Sequence, residues 1–238
     1  DDAYVIAKDL QEKYKDNKEA QARYGLIMFY IHRKQNRLPS ALEVGQEMVQ
    51  LEPHVPAKVQ VDIHFALGRI YKDMLNFNLA NNEFLRAIEI GEEIGDISLL
   101  RDKENELGHL FFELRAFTEA RLHYLKSLRY YQLQDSLFDI KYRQQEVYSN
   151  VGLTYFEEGE NDKALTYYDS CLYIINLMKD KFITENYNEE PPVKKVSLQN
   201  AEGVLLGNKG RVFERLGDFD MAEKFYIKSI ELNNNRQN

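Results

Sequence analysis

Cysteine occurs once in the 238 residues, at Cys171, so the chain can form no internal disulfide and offers no thiolate cluster for a metal. Proline is also sparse: five prolines and twelve glycines are too few to punctuate the many short strands of an all-β fold, and long helices are the natural reading. No apolar run approaches the roughly 18 residues that span a bilayer, and no basic-then-apolar stretch opens the chain. Direct membrane insertion of this segment is therefore not expected. Positive charge is in deficit, with 31 Lys and Arg against 39 Asp and Glu, a net charge of -8. Binding to nucleic acid or to anionic membrane surfaces needs basic residues to neutralise phosphates, and both are discounted as partners. These absences fit a periplasmic segment and a cytoplasmic one equally.

What is present is a recurrent pattern. Taking Gly68 as origin, Leu67 lies one before, Tyr71 three after, Ala80 twelve after, Phe84 sixteen after and Ala87 nineteen after. The same offsets from Gly108 give Leu107, Phe111, Ala120, Tyr124 and Ser127; from Gly152 they give Val151, Tyr155, Ala164, Tyr168 and Cys171. From Gly210 they give Lys209, Phe213, Ala222, Tyr226 and Ser229, and a weaker copy upstream has Phe29 in the glycine slot, Ala41 in the alanine slot and Met48 in the last. Small residues at matched heights let two helices approach closely, and an aromatic residue on each helix is expected to fill the gap to the next hairpin. A single hairpin leaves an apolar face uncovered, so several must stack.

The pattern predicts an all-α chain, residues 1–238 forming one solenoid. A leading helix covers 1–15, with Ala3, Ala7 and Leu10 on one face, and hairpins follow at about 19–51, 57–94, 98–133, 137–180 and 197–233. Residues 181–196, which include Pro191-Pro192 and Glu189-Glu190, read as a loop insertion between the fourth and fifth hairpins. Asn161-Asp162 and Gly217-Asp218 supply cap and turn chemistry at the breaks. Because the chain opens inside a helix, it looks like a piece of something longer.

With Ala-Leu-Gly-x-x-Tyr followed by Ala-x-x-x-Phe-x-x-Ala, segment 66–87 resembles the tetratricopeptide repeat, as do 107–127, 151–171 and 209–229. The chain has no tryptophan, a residue common early in that motif, and the terminal proline appears only at Pro53. Phrases such as AIEIGEEIGD and HYLKSLRYY are similar to the long-helix repeats of bacterial sensor kinases and signalling regulators. The resemblance implies a right-handed α-α superhelix in which the first helix of each hairpin lines the inner face. Inward positions would then lie six and three before the glycine slot and one, four and five after it.

Among the residues so placed, Tyr30, Arg33, Phe65, Arg69, Lys72, Asn105, His109, Phe112 and Phe156 are the candidate ligand-binding set. Aromatic anchors interleaved with charges suit an extended peptide or a partner helix. The plainer reading is that charges such as Arg69, Asp73, Asp102 and Glu113 pair along and between helices on a solvated face. The Lys and Asn of a carboxylate clamp are not matched: the slots three before the glycine read Leu26, Phe65, Asn105, Ser149 and Gly207.

Catalytic signals are weak. No pair among His32, His54, His64, His109 and His123 has the four-residue spacing of a helical zinc site. Adjacent carboxylates such as Glu92-Glu93 point to different sides of a helix. Cys171 sits in a small-residue packing slot, and neither a cofactor nor a metal is implied. The expectation is a non-catalytic protein- or peptide-binding scaffold, the sensory or regulatory segment of a larger bacterial signal-transduction protein. The alternative is a cytoplasmic quorum-sensing-type regulator switched by a short peptide, and a more distant one is an enzyme with a site in the groove. Exposed solenoid ends, with Phe225, Ile227 and Ile230 partly uncovered, imply weak self-association.

Overall fold

The computed structural model describes residues 2–133, 137–181 and 192–234. Among these the secondary structure is helical, with no strand. A leading helix α1 (Asp2–Lys13) precedes five helical pairs: α2 (Lys18–Lys34) with α3 (Leu38–Val49), α4 (Ala57–Asp73) with α5 (Phe77–Ile94), α6 (Ile97–Glu113) with α7 (Phe117–Gln132), α8 (Phe138–Glu157) with α9 (Asn161–Lys179), and α10 (Pro192–Arg215) with α11 (Phe219–Asn234). A single 3-10 turn, Glu52–His54, enters α4 from α3. The chain divides into two compact units, Asp1–Leu110 and Phe111–Asn238, so α6 runs through the boundary.

Each pair turns in the same way, seven residues after the glycine slot. Asn36, Leu75, Arg115, Gly159 and Gly217 all adopt positive φ, at 57°, 59°, 59°, 82° and 79°. The next residue's N–H reaches back to the carbonyl five before it, in Arg37 to His32, Asn76 to Tyr71, Ala116 to Phe111, Glu160 to Tyr155 and Asp218 to Phe213, all at 2.8–2.9 Å. That six-to-one bond closes the first helix and satisfies a carbonyl that would otherwise be orphaned. Glycine takes the left-handed conformation freely, whereas Leu75 and Arg115 adopt it at a cost of roughly 1 kcal/mol each. Asn76 and Asp218 then cap the second helix, accepting from Leu79 N–H at 3.4 Å and Met221 N–H at 3.1 Å.

The glycine slot is the tightest point of a hairpin. A Cβ at Gly152 would lie 2.6 Å from the Tyr168 ring, one at Gly210 would lie 2.7 Å from Tyr226, and one at Gly68 would overlap Phe84. The aromatic sixteen residues on therefore lies over the glycine of its own hairpin, and Tyr124 and Tyr168 also join the core of the next one, as expected. A second aromatic contact repeats in the second unit: Phe111 stacks on His123 at 5.3 Å, Tyr155 on Tyr167 at 5.4 Å and Phe213 on Phe225 at 5.3 Å. These pairs stand three and fifteen residues after their glycines.

In the first unit the core joins Ala22, Phe29, Ala41, Met48, Val59, Ile63, Ala66, Leu67 and Ile70 across α2, α3 and α4. In the second, Tyr124, Tyr131, Val147 and Val151 form one cluster, and Tyr168, Cys171, Ile175, Leu205 and Val212 another. Burying each large side chain contributes about 1.5–3 kcal/mol.

One boundary differs clearly from the sequence reading. Helix α10 begins at Pro192, five residues earlier than expected, because proline lacks only an N–H that the first helical turn leaves unbonded anyway. Residues 192–196 are thus helical, and the rest of the expected loop, apart from Lys181, lies outside the described residues.

Candidate functional site

In the first unit, the inward side of α2, α4 and α6 carries a chain of charge pairs. Arg33 grips Asp73 through two bonds, Nε to Oδ2 at 2.5 Å and Nη2 to Oδ1 at 3.0 Å. Glu106 receives Lys72 at 3.1 Å and Arg69 at 3.5 Å, and Lys103 stands 3.5 Å from Asp62. Arg33 and Asp73 are 40 residues apart, about one repeat, so each pair links one first helix to the next. Burial alone would raise the Glu106 carboxyl, but Lys72 and Arg69 outweigh it and hold the group below the usual carboxylate range. Burial depresses His109, and Asn105 Nδ2 lies 3.2 Å from its Nε2, as an amide donating to a neutral imidazole.

Tyr30 is 37% exposed, with its phenol raised by burial. Beside it opens a cleft of about 680 Å³ lined by Tyr30, Arg33, Lys34, Asn36, Leu38 and Asp73. Phe65 presents little surface: it is 8% exposed, under Lys103 at 4.5 Å and Arg69 at 5.6 Å. The structure thus gathers Tyr30, Arg33, Phe65, Arg69, Lys72, Asn105 and His109 within one unit. The plainer reading also holds there for Arg69 and Asp73, which pair between helices, and for Asp102, 3.7 Å from its neighbour Arg101.

In the second unit Phe112 is half-buried against Phe117 at 5.3 Å. Phe156 is 4% exposed because Arg215 lies 3.5 Å and Arg211 4.5 Å from its ring centre, and Arg215 also donates to the Phe156 carbonyl. Arg211 is 3.5 Å from Glu157. Phe112 and Phe156 are therefore packed rings, and the open space of this unit lies nearer the helix starts. A cleft of about 230 Å³ is lined by Tyr142, Gln145, Glu146, Ser149 and Asn150 of α8 and by Asn200, Ala201 and Val204 of α10. Its volume falls below the roughly 300–1,000 Å³ of small-molecule pockets, so a side chain or a stretch of backbone fits it better than a metabolite.

Glu146 is held by Arg143 at 2.9 Å, which leaves the lining close to neutral and rich in amides. Gln145, almost fully buried, accepts from the Cys171 thiol at 3.3 Å, and burial pushes that thiol up to about 12. A protonated buried thiol is a packing group.

Sequence offsets identified Glu146, Ser149 and Val204 as inward but missed Tyr142, Asn150 and Asn200. Tyr142 and Asn200 both stand ten residues before their glycines, beyond the positions that the repeat defines. In α8 and α10, which run to 20 and 24 residues against 17 for α2, α4 and α6, that slot lines the cleft. The available signal was the length of the apolar period ahead of Gly152 and Gly210. Among the described residues no cluster of three or more metal-ligating side chains occurs, and no helix is long and apolar enough to cross a membrane.

Comparison with known proteins agrees with this geometry. A family profile described as Tetratricopeptide repeat matches residues 145–176 and 205–236, the last two hairpins. The uncharacterized protein ycf37 of Guillardia theta is 28% identical over 120 residues, 48% of this chain and 65% of the relative, so the match spans less than two thirds of that protein. Photosystem I assembly protein Ycf3 of Prochlorococcus marinus subsp. pastoris is 24% identical over 143 residues, 60% of this chain and 72% of the relative. Among solved structures, BtubC from P. vanneervenii superposes with a TM-score of 0.75 at 19% identity, covering 97% of this chain and 87% of that one, a likeness of fold. Such repeats form a scaffold suited to protein binding. The chain thus carries tetratricopeptide repeats in its last two hairpins, and the same glycine seam recurs at Gly68 under Phe84.

Proposed function

We propose that the chain is a non-catalytic scaffold that holds an extended segment of a protein partner against the inward faces of its first helices. The observation that carries this reading is the amide-rich cleft between α8 and α10. An amide side chain offers both donors and an acceptor, which complements the N–H and C=O of a peptide main chain. Four of the eight lining residues are Gln, Asn or Ser, and the one carboxylate already has a cation. In the first unit, Tyr30 and Lys34 border the larger cleft, where a partner's aromatic or acidic side chain finds a complement.

The Prochlorococcus relative's name favours an assembly role, in which the scaffold holds a polypeptide. A regulatory segment of a larger bacterial signalling protein, and a regulator switched by a short peptide, share the same face and differ in what the bound segment belongs to. Selection from a random peptide library displayed on phage tests the reading. Enriched peptides should lose at least about tenfold in affinity when Asn150 and Asn200 are both replaced by alanine, as expected for one or two lost hydrogen bonds. Failure to enrich any peptide, or binding indifferent to both positions and to Tyr30→Ala, overturns it.

A further inference from the structure

His64 stands on α4 on the side turned toward α5 and the 3-10 turn, away from the proposed peptide face. It is 8% exposed. Its Nδ1 lies 2.6 Å from Glu83 Oε2 on α5, and its Nε2 lies 3.4 Å from Glu52 Oε1 at the start of the turn. A neutral imidazole carries one N–H, so it can face only one of these carboxylates as a donor and must turn a lone pair toward the other. Only the imidazolium offers a proton on both sides. Charged groups nearby are few: Arg86 of α5 approaches Glu52 at 4.0 Å while reaching Glu89 at 3.5 Å, so it is shared and at the limit of ion-pair range.

We propose that His64 is a proton-operated latch: as the imidazolium it clamps the Glu52–His54 turn to α5, and its deprotonation frees the turn. The consequence reaches the core. Gln60 donates to the carbonyls of Glu52 and Val55 at 3.0 and 3.2 Å, and Val55, 7% exposed, packs with Met48, Val59 and Ile63. Losing the clamp puts two carboxylates around a neutral ring and leaves Gln60 and Val55 to hold the turn.

The direction of titration agrees. Burial disfavours the charged ring, but the hydrogen bond and charge of Glu83, then the nearby Glu52 carboxylate, outweigh it and raise the group above its ordinary value. A raised folded value means that the stabilisation is fully present below the unfolded pKa of about 6.5 and is lost as pH climbs through the folded one.

The test is amide hydrogen exchange of the whole chain between about pH 6 and pH 9, corrected for intrinsic rates, alongside NMR titration of the His64 ring. Protection of Val55 and His54 N–H should fall about tenfold or more across the range, while Leu67 and Ile70 in α4 keep theirs. The Glu83→Gln variant should lower the ring's titration midpoint and shift the loss of protection with it. In His64→Gln, protection at the turn should be low and independent of pH; should that variant not fold, Glu83→Gln and Glu52→Gln carry the test. Protection that does not change with pH, a midpoint below that of free histidine, or a Glu83→Gln profile identical to the parent would each overturn the latch.

Discussion

On the inward side of α2, α4 and α6, up to Leu110, Arg33, Lys72 and Lys103 find carboxylates one repeat away, and Lys103 and Arg69 also lie over Phe65; on α8 and α10, Arg211 meets Glu157 and lies with Arg215 over Phe156. Arg33–Asp73, Lys72–Glu106 and Lys103–Asp62 run along the first face, whereas α8 and α10 leave an amide-lined cleft ahead of Phe156. A ligand entering the first face competes with ion pairs already made, and one entering the second exchanges contacts that Gln145, Asn150 and Asn200 already make for main-chain bonds of similar chemistry. The same repeat thus gives one unit a face rich in ion pairs and the other a cleft in which four of eight lining residues are Gln, Asn or Ser.

The packing seam is where the two units should behave alike. Phe84→Ala and Tyr168→Ala each remove a fully buried ring from over a glycine and should cost about 3–5 kcal/mol in denaturant unfolding. Tyr226 occupies the same slot in the last hairpin but is partly exposed, so Tyr226→Ala should cost clearly less. Equal losses at all three would show that the final hairpin is as well covered as the inner ones.

The electrostatic contrast is sharper at Glu106. Glu106→Gln leaves Lys72 and Arg69 partly buried without their carboxylate and should destabilise the first unit by about 1–3 kcal/mol. The parent carboxyl is depressed, so its contribution is present above the unfolded value of about 4.5 and is lost as pH falls through the lower folded value. Acid titration followed by NMR signals of the first unit should show this step, and Glu106→Gln should abolish it.

Much of this was legible in the sequence, and the reasons are local. Gly68, Gly152 and Gly210 stand out because no other residue fits under a ring sixteen positions on, so the seam was readable from spacing alone. The left-handed turn was readable where it is Gly159 or Gly217 and hidden where it is Leu75 or Arg115, since a non-glycine residue there carries no compositional mark. The partner was not readable: Arg69 and Lys72 meet Glu106, two residues before Gly108, a position that the offsets do not mark as inward. Nor was solvent access, because Phe65 and Phe156 are covered by cations from the following first helix, Lys103 and Arg211, and a one-dimensional pattern does not register a neighbour one repeat away. The 3-10 turn at Glu52–His54 was missed because Pro53 reads as a helix stop whether or not a turn follows.

The hidden turns give the smallest expected effects. Leu75→Gly in the first unit and Arg115→Gly in the second relieve a left-handed non-glycine residue and should each stabilise by up to about 1 kcal/mol. Gly159→Ala should lose a similar amount, read as a shift in thermal midpoint.

Which face receives a partner decides whether the scaffold works as proposed. Hydrogen–deuterium exchange of the whole chain with and without a library-selected peptide reads this directly. Slowed exchange should concentrate in the first helices, above all in α8 and α10 around Tyr142–Asn150 and Asn200–Val204, with the outer turns of α9 and α11 unchanged. Protection confined to α9 and α11, with α8 and α10 exchanging as before, would contradict it.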